Sequence, residues 1–282
     1  MKYLCIFDMD GTLLHTDQSV SKRNKEALKA LKALGVGVVL ATGRSELMTR
    51  LYVKELELQL PVISNNGSLV IDAKTREILY RDTFSLPTLK KLIEYGIEND
   101  KDYFIYTIDK VFYSANSRKI EIFHTYNRLA PADKQVNIIK LPGNLNEVLS
   151  LLPDGGVGSV LKVLLSYQTE EDYVFFNQMD EVEGSASQSN AFDITPAGCT
   201  KGKALEFLSG YLGVDRKDIF AFGDNHNDLS MLEYAGFAIV PDNAVPEAKA
   251  AADFVALSND EDGIAQGIFE FVIPRISQTC AE

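Results

Sequence analysis

An apolar run with no polar alternation, Val36-Gly-Val-Val-Leu-Ala41, constrains this chain most. A strand with one wet face alternates polar and apolar residues. A continuous run instead suits a strand buried on both faces, inside a parallel sheet covered by helices. Helix patterns flank it. Ser21 precedes good helix formers from Lys22 to Leu34, with Gly35 as the stop, and a second helix is expected from Ser45 to about Leu56. Lys2–Phe7 and Pro61–Ser64 supply further strands, so the order is β-α-β-α-β. The rhythm returns near Phe192, with strands at Phe192–Thr195, Ile219–Phe222, Phe237–Val240 and Phe254-Val255 and helices at Lys201–Leu212 and Gly263–Ile276. Between Thr83 and Asn190 it is lost. There a hairpin pattern around Asp109-Lys110 and three helix patterns mix with further strands, as in an antiparallel sheet with helices on one face. The expectation is an α/β protein: a doubly wound parallel-sheet (Rossmann-like) core from residues 1–82 and 191–282, split by an inserted α+β domain at 83–190.

In open parallel sheets, ligands bind beyond the carboxyl ends of the strands. Four stretches place polar groups there. Phe7 is followed by Asp8-Met-Asp10-Gly11-Thr12, whose two acids, at i and i+2, point to one side of an extended chain. Two carboxylates held together repel unless a cation lies between them or one is protonated. A divalent metal, a catalytic acid, or both account for the pair; so does a solvated Asx-type turn. Ala41 is followed by Thr42-Gly43-Arg44, Lys201 opens a helix after Thr195, and Phe222 is followed by Gly223-Asp224-Asn-His-Asn227-Asp228. Carboxylates, one lysine, a hydroxyl, an amide and turn N–H groups together suit phosphoryl transfer. Magnesium takes hard oxygen ligands such as Asp8 and Asp224. An aspartate can attack phosphorus covalently, provided cations screen its charge. Asp10 can protonate a leaving oxygen and then deprotonate water. Thr42, the N–H of Gly43 and Asn227 can hold the other phosphate oxygens.

Composition narrows the partners. The chain has 282 residues, 46% of them hydrophobic and 24% charged, with a net charge of −12. Such a surface repels nucleic acid and anionic membranes, so neither is an expected partner. Three cysteines, Cys5, Cys199 and Cys280, form no CxxC pair, which points to a reducing, cytoplasmic setting with no disulfide frame. No apolar run approaches membrane-spanning length. A monomer is the default.

The four stretches, in this order, resemble the four motifs of the haloacid dehalogenase superfamily. The insert between the second and third motifs, with Ala41-Thr-Gly-Arg44 and Asn65-Asn66-Gly67, resembles the Cof-type phosphatases with a large α+β cap. The resemblance implies Asp8 as nucleophile and metal ligand, and Asp10 as acid/base and as metal ligand through its backbone carbonyl. It implies Asp224 as metal ligand and Asp228 as a metal-site or neighbouring acid. Thr42, Gly43, Lys201 and Asn227 would bind phosphate, Arg44 and Asn66 would be possible substrate contacts, and Mg2+ would be the cofactor. The expected reaction is hydrolysis of a small soluble phosphomonoester, such as a sugar phosphate, through an aspartyl-phosphate. A cap would exclude water and select the leaving group. A sugar phosphomutase on the same site is the alternative, and a non-catalytic binding protein a further one. Two stretches depart from the family pattern: Asn66-Gly67-Ser68 and Val240-Pro241-Asp242-Asn243-Ala244. They bear on the substrate rather than the chemistry.

Simpler readings account for other features. Gly198-Cys-Thr-Lys-Gly-Lys203-Ala204 is one spacer residue short of a P-loop and ends in Ala where a hydroxyl is needed. His226 reads as a loop residue. Glu170-Glu-Asp172 and Asp180-Glu-Val-Glu183 read as solvated faces and helix caps. The aromatic residues at Tyr103, Phe104, Tyr106, Phe112 and Tyr113 read as core of the inserted domain.

Overall fold

A computed structural model describes residues 1–115, 117–186 and 191–279; Cys280 and the 190 boundary lie outside the described residues. The chain forms two compact units. The first comprises Met1–Thr42, Val53–Tyr80 and Thr200–Glu282, the second Gly43–Tyr52 and Arg81–Cys199.

The first unit is built on a parallel five-stranded sheet. In spatial order its strands are Phe254–Ala256, Phe237–Pro241, Ile219–Phe222, Leu4–Phe7 and Gly37–Leu40. Leu4–Phe7 lies between Ile219–Phe222, the central strand, and the edge strand Gly37–Leu40, with Phe7 in register with Phe222 on one side and Leu40 on the other. All residues of these three strands are buried, as their unbroken apolar character requires. This alignment matters for function, because three strand ends, and the loops that follow them, open at one edge. A parallel bridge from Ala41 to Ile63 extends the edge to Val62–Ser64, which belongs to a small three-stranded sheet with Leu69–Ile71 and Ile78–Arg81.

The helices of this unit follow their local signals. In Lys22–Ala33, the Ser21 side chain accepts from the Asn24 N–H, and Asn24, Ala27, Leu28 and Leu31 form the buried stripe. In Lys201–Leu212, Thr200 accepts from the Lys203 N–H, and Gly213 ends the helix at φ 66°, the left-handed conformation that glycine adopts without a Cβ clash.

The second unit carries a six-stranded sheet in the order Val182–Ala186, Ala191–Pro196, Lys162–Ser166, Asp102–Tyr106, Lys110–Tyr113 and Asn137–Lys140. All its pairs are antiparallel except the last, which is parallel. Strand alternation divides the aromatic residues between two cores. Tyr103, Ile105 and Phe112 pack with Leu89, Leu92 and Val148 on one face; Phe104, Tyr106 and Val111 pack with Leu47, Phe123 and Tyr126 on the other.

Two expectations are corrected here and a third is extended. Ala191–Pro196 is not a parallel core strand: it pairs antiparallel with Val182–Ala186 and Lys162–Ser166 and belongs to the second unit. Its apolar residues satisfy either sheet, so only the partners decide. Val182 and Glu183 open a strand, Val182–Ala186, whose backbone bonds complete that sheet's edge, while Asp180, Glu181 and Glu183 are exposed as a solvated face requires. Helices cover both faces of the second sheet rather than one, since Glu46–Glu55 and Glu121–Leu129 supply the second core. No helix among the described residues is long and apolar enough to cross a membrane.

Candidate active site

The turn after the first strand gives the site its shape. Asp8 donates its N–H to the Phe222 carbonyl at 2.8 Å, which continues the parallel ladder one residue past the strand. The chain then folds back on itself: the Leu14 N–H reaches the Met9 carbonyl at 2.8 Å. Gly11 sits at the corner with φ +77°, and a Cβ there would lie 2.5 Å from Asp224 Oδ2. Glycine is therefore required twice over, by its backbone angle and by the approach of the acid. Thr12 donates its hydroxyl to Asp224 Oδ1 at 2.6 Å, which ties the first strand's turn to the turn after Phe222.

Lys201 lies at the centre. It is fully buried, and its Nζ donates to Asp8 Oδ1 and Asp228 Oδ1, both at 2.6 Å. Asp228 is equally buried and is held on its other oxygen, Oδ2, by the N–H groups of Asp224 and Asn225, each at 3.0 Å. A Cβ at Gly223 would collide with the Asp228 side chain at 2.6 Å, so that turn also closes on glycine. Asp8, Asp224 and Asp228 bring one oxygen each within 4.8 Å of the others. Asp10 stands outside this trio, though its charge acts on Asp224.

The electrostatics follow from burial. Desolvation, then the charges of Asp228 and Asp224, push the Asp8 carboxyl well above the ordinary range against the pull of Lys201. Asp224 is raised to about 7, by burial first and Asp228 second, with Thr12 and Lys201 opposing. Burial alone would lower Lys201, but Asp228 and Asp8 outweigh it and hold the ammonium charged. Among the described residues, the Lys201 ammonium thus faces three carboxylates. The trio offers oxygen donors only, and its uncompensated negative charge fits a hard divalent ion such as Mg2+.

The remaining expected residues fall into two groups. Thr42 is buried and donates its N–H to the Ile63 carbonyl at 3.0 Å. Its own carbonyl accepts from the Asn66 N–H at 3.1 Å, and the Asn66 side-chain carbonyl accepts from Asn227 Nδ2 at 3.0 Å. Asn65 and Asn66 adopt φ of 50° and 55°, and Gly67 has φ +100° with room for no Cβ against the Thr200 carbonyl. That turn therefore packs onto the start of the Lys201 helix, and Thr42, Asn66 and Asn227 form one bonded chain beside it. Gly43 and Arg44 belong to the second unit. There the Gly43 carbonyl accepts from Lys162 Nζ at 2.7 Å, and Arg44 lies 5.5 Å from the centre of the Tyr52 ring. His226 is exposed, as a loop residue is expected to be. Cys5 is buried and its thiol is pushed up by burial, which makes it a core residue.

Sequence reasoning missed two contributors. Thr12 gave a signal, since it follows the Asp-x-Asp-Gly turn. The amide of Asn243 donates to the Gly11 carbonyl at 2.8 Å; its stretch stood out against the family pattern, but nothing in the sequence pointed to a partner so far along the chain.

The chain is 29% identical to 5-amino-6-(5-phospho-D-ribitylamino)uracil phosphatase YwtE of Bacillus subtilis, across 94% of this chain and 96% of that protein. It is 28% identical, across 96% of its length, to the chloroplastic endoribonuclease YBEY of Arabidopsis thaliana, but it spans only 47% of that protein. The solved sugar phosphatase BT4131, of haloacid dehalogenase subclass IIB, shares the fold with a TM-score of 0.81 at 23% identity, over 97% of this chain and all of that one. The family model for haloacid dehalogenase-like hydrolases matches residues 5–268, and with nearly its whole length matched the chain belongs to that family.

Proposed function

We propose that the protein is a Mg2+-dependent phosphatase that hydrolyses a small phosphomonoester through an aspartyl-phosphate on Asp8. The observation that carries this reading is Lys201, fully buried and 2.6 Å from Asp8 in a trio of carboxylates. A buried ion pair adds little stability over an apolar core, so one kept at a strand end points to function. Here the ammonium screens an attacking carboxylate. The phosphatase names among the relatives support the same reaction class.

When bound, the ion would be held by Asp8 and Asp224, with Asp228 beside it and the Asp10 backbone carbonyl as a further ligand, and would neutralise phosphate charge. An Asp8 carboxylate oxygen attacks phosphorus as the bond to the leaving oxygen breaks. Asp10 gives its proton to that oxygen. Water then attacks phosphorus, the Asp8 O–P bond breaks, and Asp10 takes the water's proton. Phosphate leaves and both acids are restored. Thr42, Lys201 and Asn227 orient the phosphate oxygens. The second unit selects the leaving group, with a sugar or sugar-alcohol phosphate as the substrate class suggested by the relatives.

Phosphate release from a panel of sugar phosphates, pyridoxal phosphate, nucleoside monophosphates and flavin mononucleotide tests this reading, with magnesium and then with excess chelator. Release that stops in chelator is expected. Full release in chelator refutes the metal dependence. Transfer between sugar hydroxyls without release of phosphate would replace the hydrolase by a phosphomutase.

A further inference from the structure

We infer that Asn243 is a positioning residue: its side-chain amide fixes the turn that carries Asp10, and so sets how well that acid reaches a leaving oxygen. The inference rests on the reading of Asp10 as the proton donor. It starts from three bonds outside the carboxylate trio. Asn243 Nδ2 donates to the Gly11 carbonyl at 2.8 Å. Asn243 Oδ1 accepts from the Asn259 N–H at 2.9 Å. Asn259 Nδ2 in turn donates to the Leu14 carbonyl at 2.9 Å. The two backbone partners of Asn243 are of opposite kind, a carbonyl that only accepts and an N–H that only donates. Only one orientation of an amide satisfies both, and neither a carboxylate nor a methyl group can.

The loop that holds Asn243 is itself fixed. The Ala244 N–H closes a turn onto the Pro241 carbonyl at 2.9 Å, and Ala244 is buried in the first unit's core. The next residue, Val245, donates its N–H to the Asp224 carbonyl at 2.9 Å. One short loop therefore grips both sides of the site, Gly11 through Asn243 and Asp224 through Val245. Gly11 lies between Asp10 and Thr12, whose hydroxyl binds Asp224. If the Asn243 bond is lost, the turn keeps Thr12 on Asp224 and the Leu14–Met9 closure, but Gly11 is released next to Asp10. Asp8, by contrast, stays anchored through the Phe222 carbonyl and Lys201. The expected defect is therefore in proton delivery more than in nucleophilic attack.

The dependence on leaving group separates these steps. A p-nitrophenolate leaves without a proton, whereas the alkoxide of glycerol phosphate needs one. With full-length Asn243→Ala, kcat on glycerol phosphate should fall about 10- to 100-fold. The loss on p-nitrophenyl phosphate should be at least ~5-fold smaller, because general acid assistance matters less there. KM for both esters should stay within about twofold, as expected when an interaction made in the transition state is lost. Asn243→Asp should not rescue, because it cannot donate to the Gly11 carbonyl. Asn259→Ala breaks the Leu14 bond but keeps its N–H on Asn243, so its ratio of the two activities should stay close to that of the unsubstituted protein. Thermal unfolding checks that each variant folds. Equal losses on the two esters in Asn243→Ala, or full activity in Asn243→Asp, would overturn the positioning role while leaving the phosphatase reading intact. If the unsubstituted protein releases phosphate from neither ester and from no member of the panel above, that reading falls, and the inference falls with it.

Discussion

Replacing Lys201 with methionine should be the most damaging single change in the first unit. The side chain is fully buried and bonds two aspartates at 2.6 Å. Methionine fills most of the volume but removes the cation bonded to Asp8 and Asp228. Removing one partner of a buried ion pair costs about 3–5 kcal/mol, because the other charge is left uncompensated. At roughly 2–4 °C per kcal/mol, the first unit's unfolding midpoint in chelator should fall by about 6–20 °C. Two units need not melt together, so the transition must be followed with a probe in the first. Two qualifications come from the same charges. Asp8 and Asp224 already have raised pKa values and can take up protons, so the deficit should shrink as pH is lowered from 8 to 5. Magnesium should restore part of the midpoint by supplying positive charge to the trio. Phosphate release should still fall at least ~100-fold at saturating magnesium, since the charge beside Asp8 is gone. Calorimetry with chelator and with magnesium, beside an assay of phosphate release, reads all three. A midpoint within 1 °C of the unsubstituted protein in chelator, at about pH 8, would refute the account of the buried charges.

Two further predictions concern pH. Asp224 is raised to about 7, so its contribution to folding is fully present below the unfolded carboxylate value, near ~3.9, and is lost as pH rises towards 7. The metal-free first unit should therefore lose stability across that window, and Asp224→Asn should flatten the slope in pH-dependent melting; an unchanged slope would discount Asp224 as its source. In the second unit, burial works against ionisation of Asp172, but Lys101 at 2.8 Å, Tyr95 at 2.6 Å and the Thr169 N–H at 2.6 Å outweigh it and lower its pKa. Its stabilisation is present above the unfolded value and lost as pH falls below about 4. Asp172→Ala should cost about 3–5 kcal/mol at pH 7 and about 1 kcal/mol less at pH 3, read by urea unfolding of the second unit; a cost independent of pH would assign the effect to packing.

The parts legible in the sequence are those fixed by short-range pattern. Leu4–Phe7, Gly37–Leu40 and Ile219–Phe222 are continuous apolar runs, and each ends in the polar residues that build the site. Ser21, Thr200 and Gly213 mark helix ends by cap chemistry, and the structure puts them at those ends. What pattern does not contain is the partner. Ala191–Pro196 is apolar enough for either sheet, and its antiparallel neighbours became visible only in three dimensions. Val182–Ala186 reads as polar because edge strands are stabilised by backbone bonds more than by apolar side chains. Thr12 and Asp224 are 212 positions apart, and Gly11 and Asn243 are 232 apart, so no local rule connects them. Likewise Lys162 and Asp193 form a buried pair at 2.8 Å between two strands whose adjacency the chain order does not announce.

The covalent role of Asp8 is the central claim, and acid-quenched turnover followed by peptide mass spectrometry tests it most directly. Enzyme mixed with a turned-over phosphomonoester and magnesium should carry a phosphoryl group on the peptide that contains Asp8. Asp8→Asn should fold normally, carry no adduct and release no phosphate. A phosphoryl group mapped to another residue, or phosphate release at the unsubstituted rate from Asp8→Asn, would contradict the account.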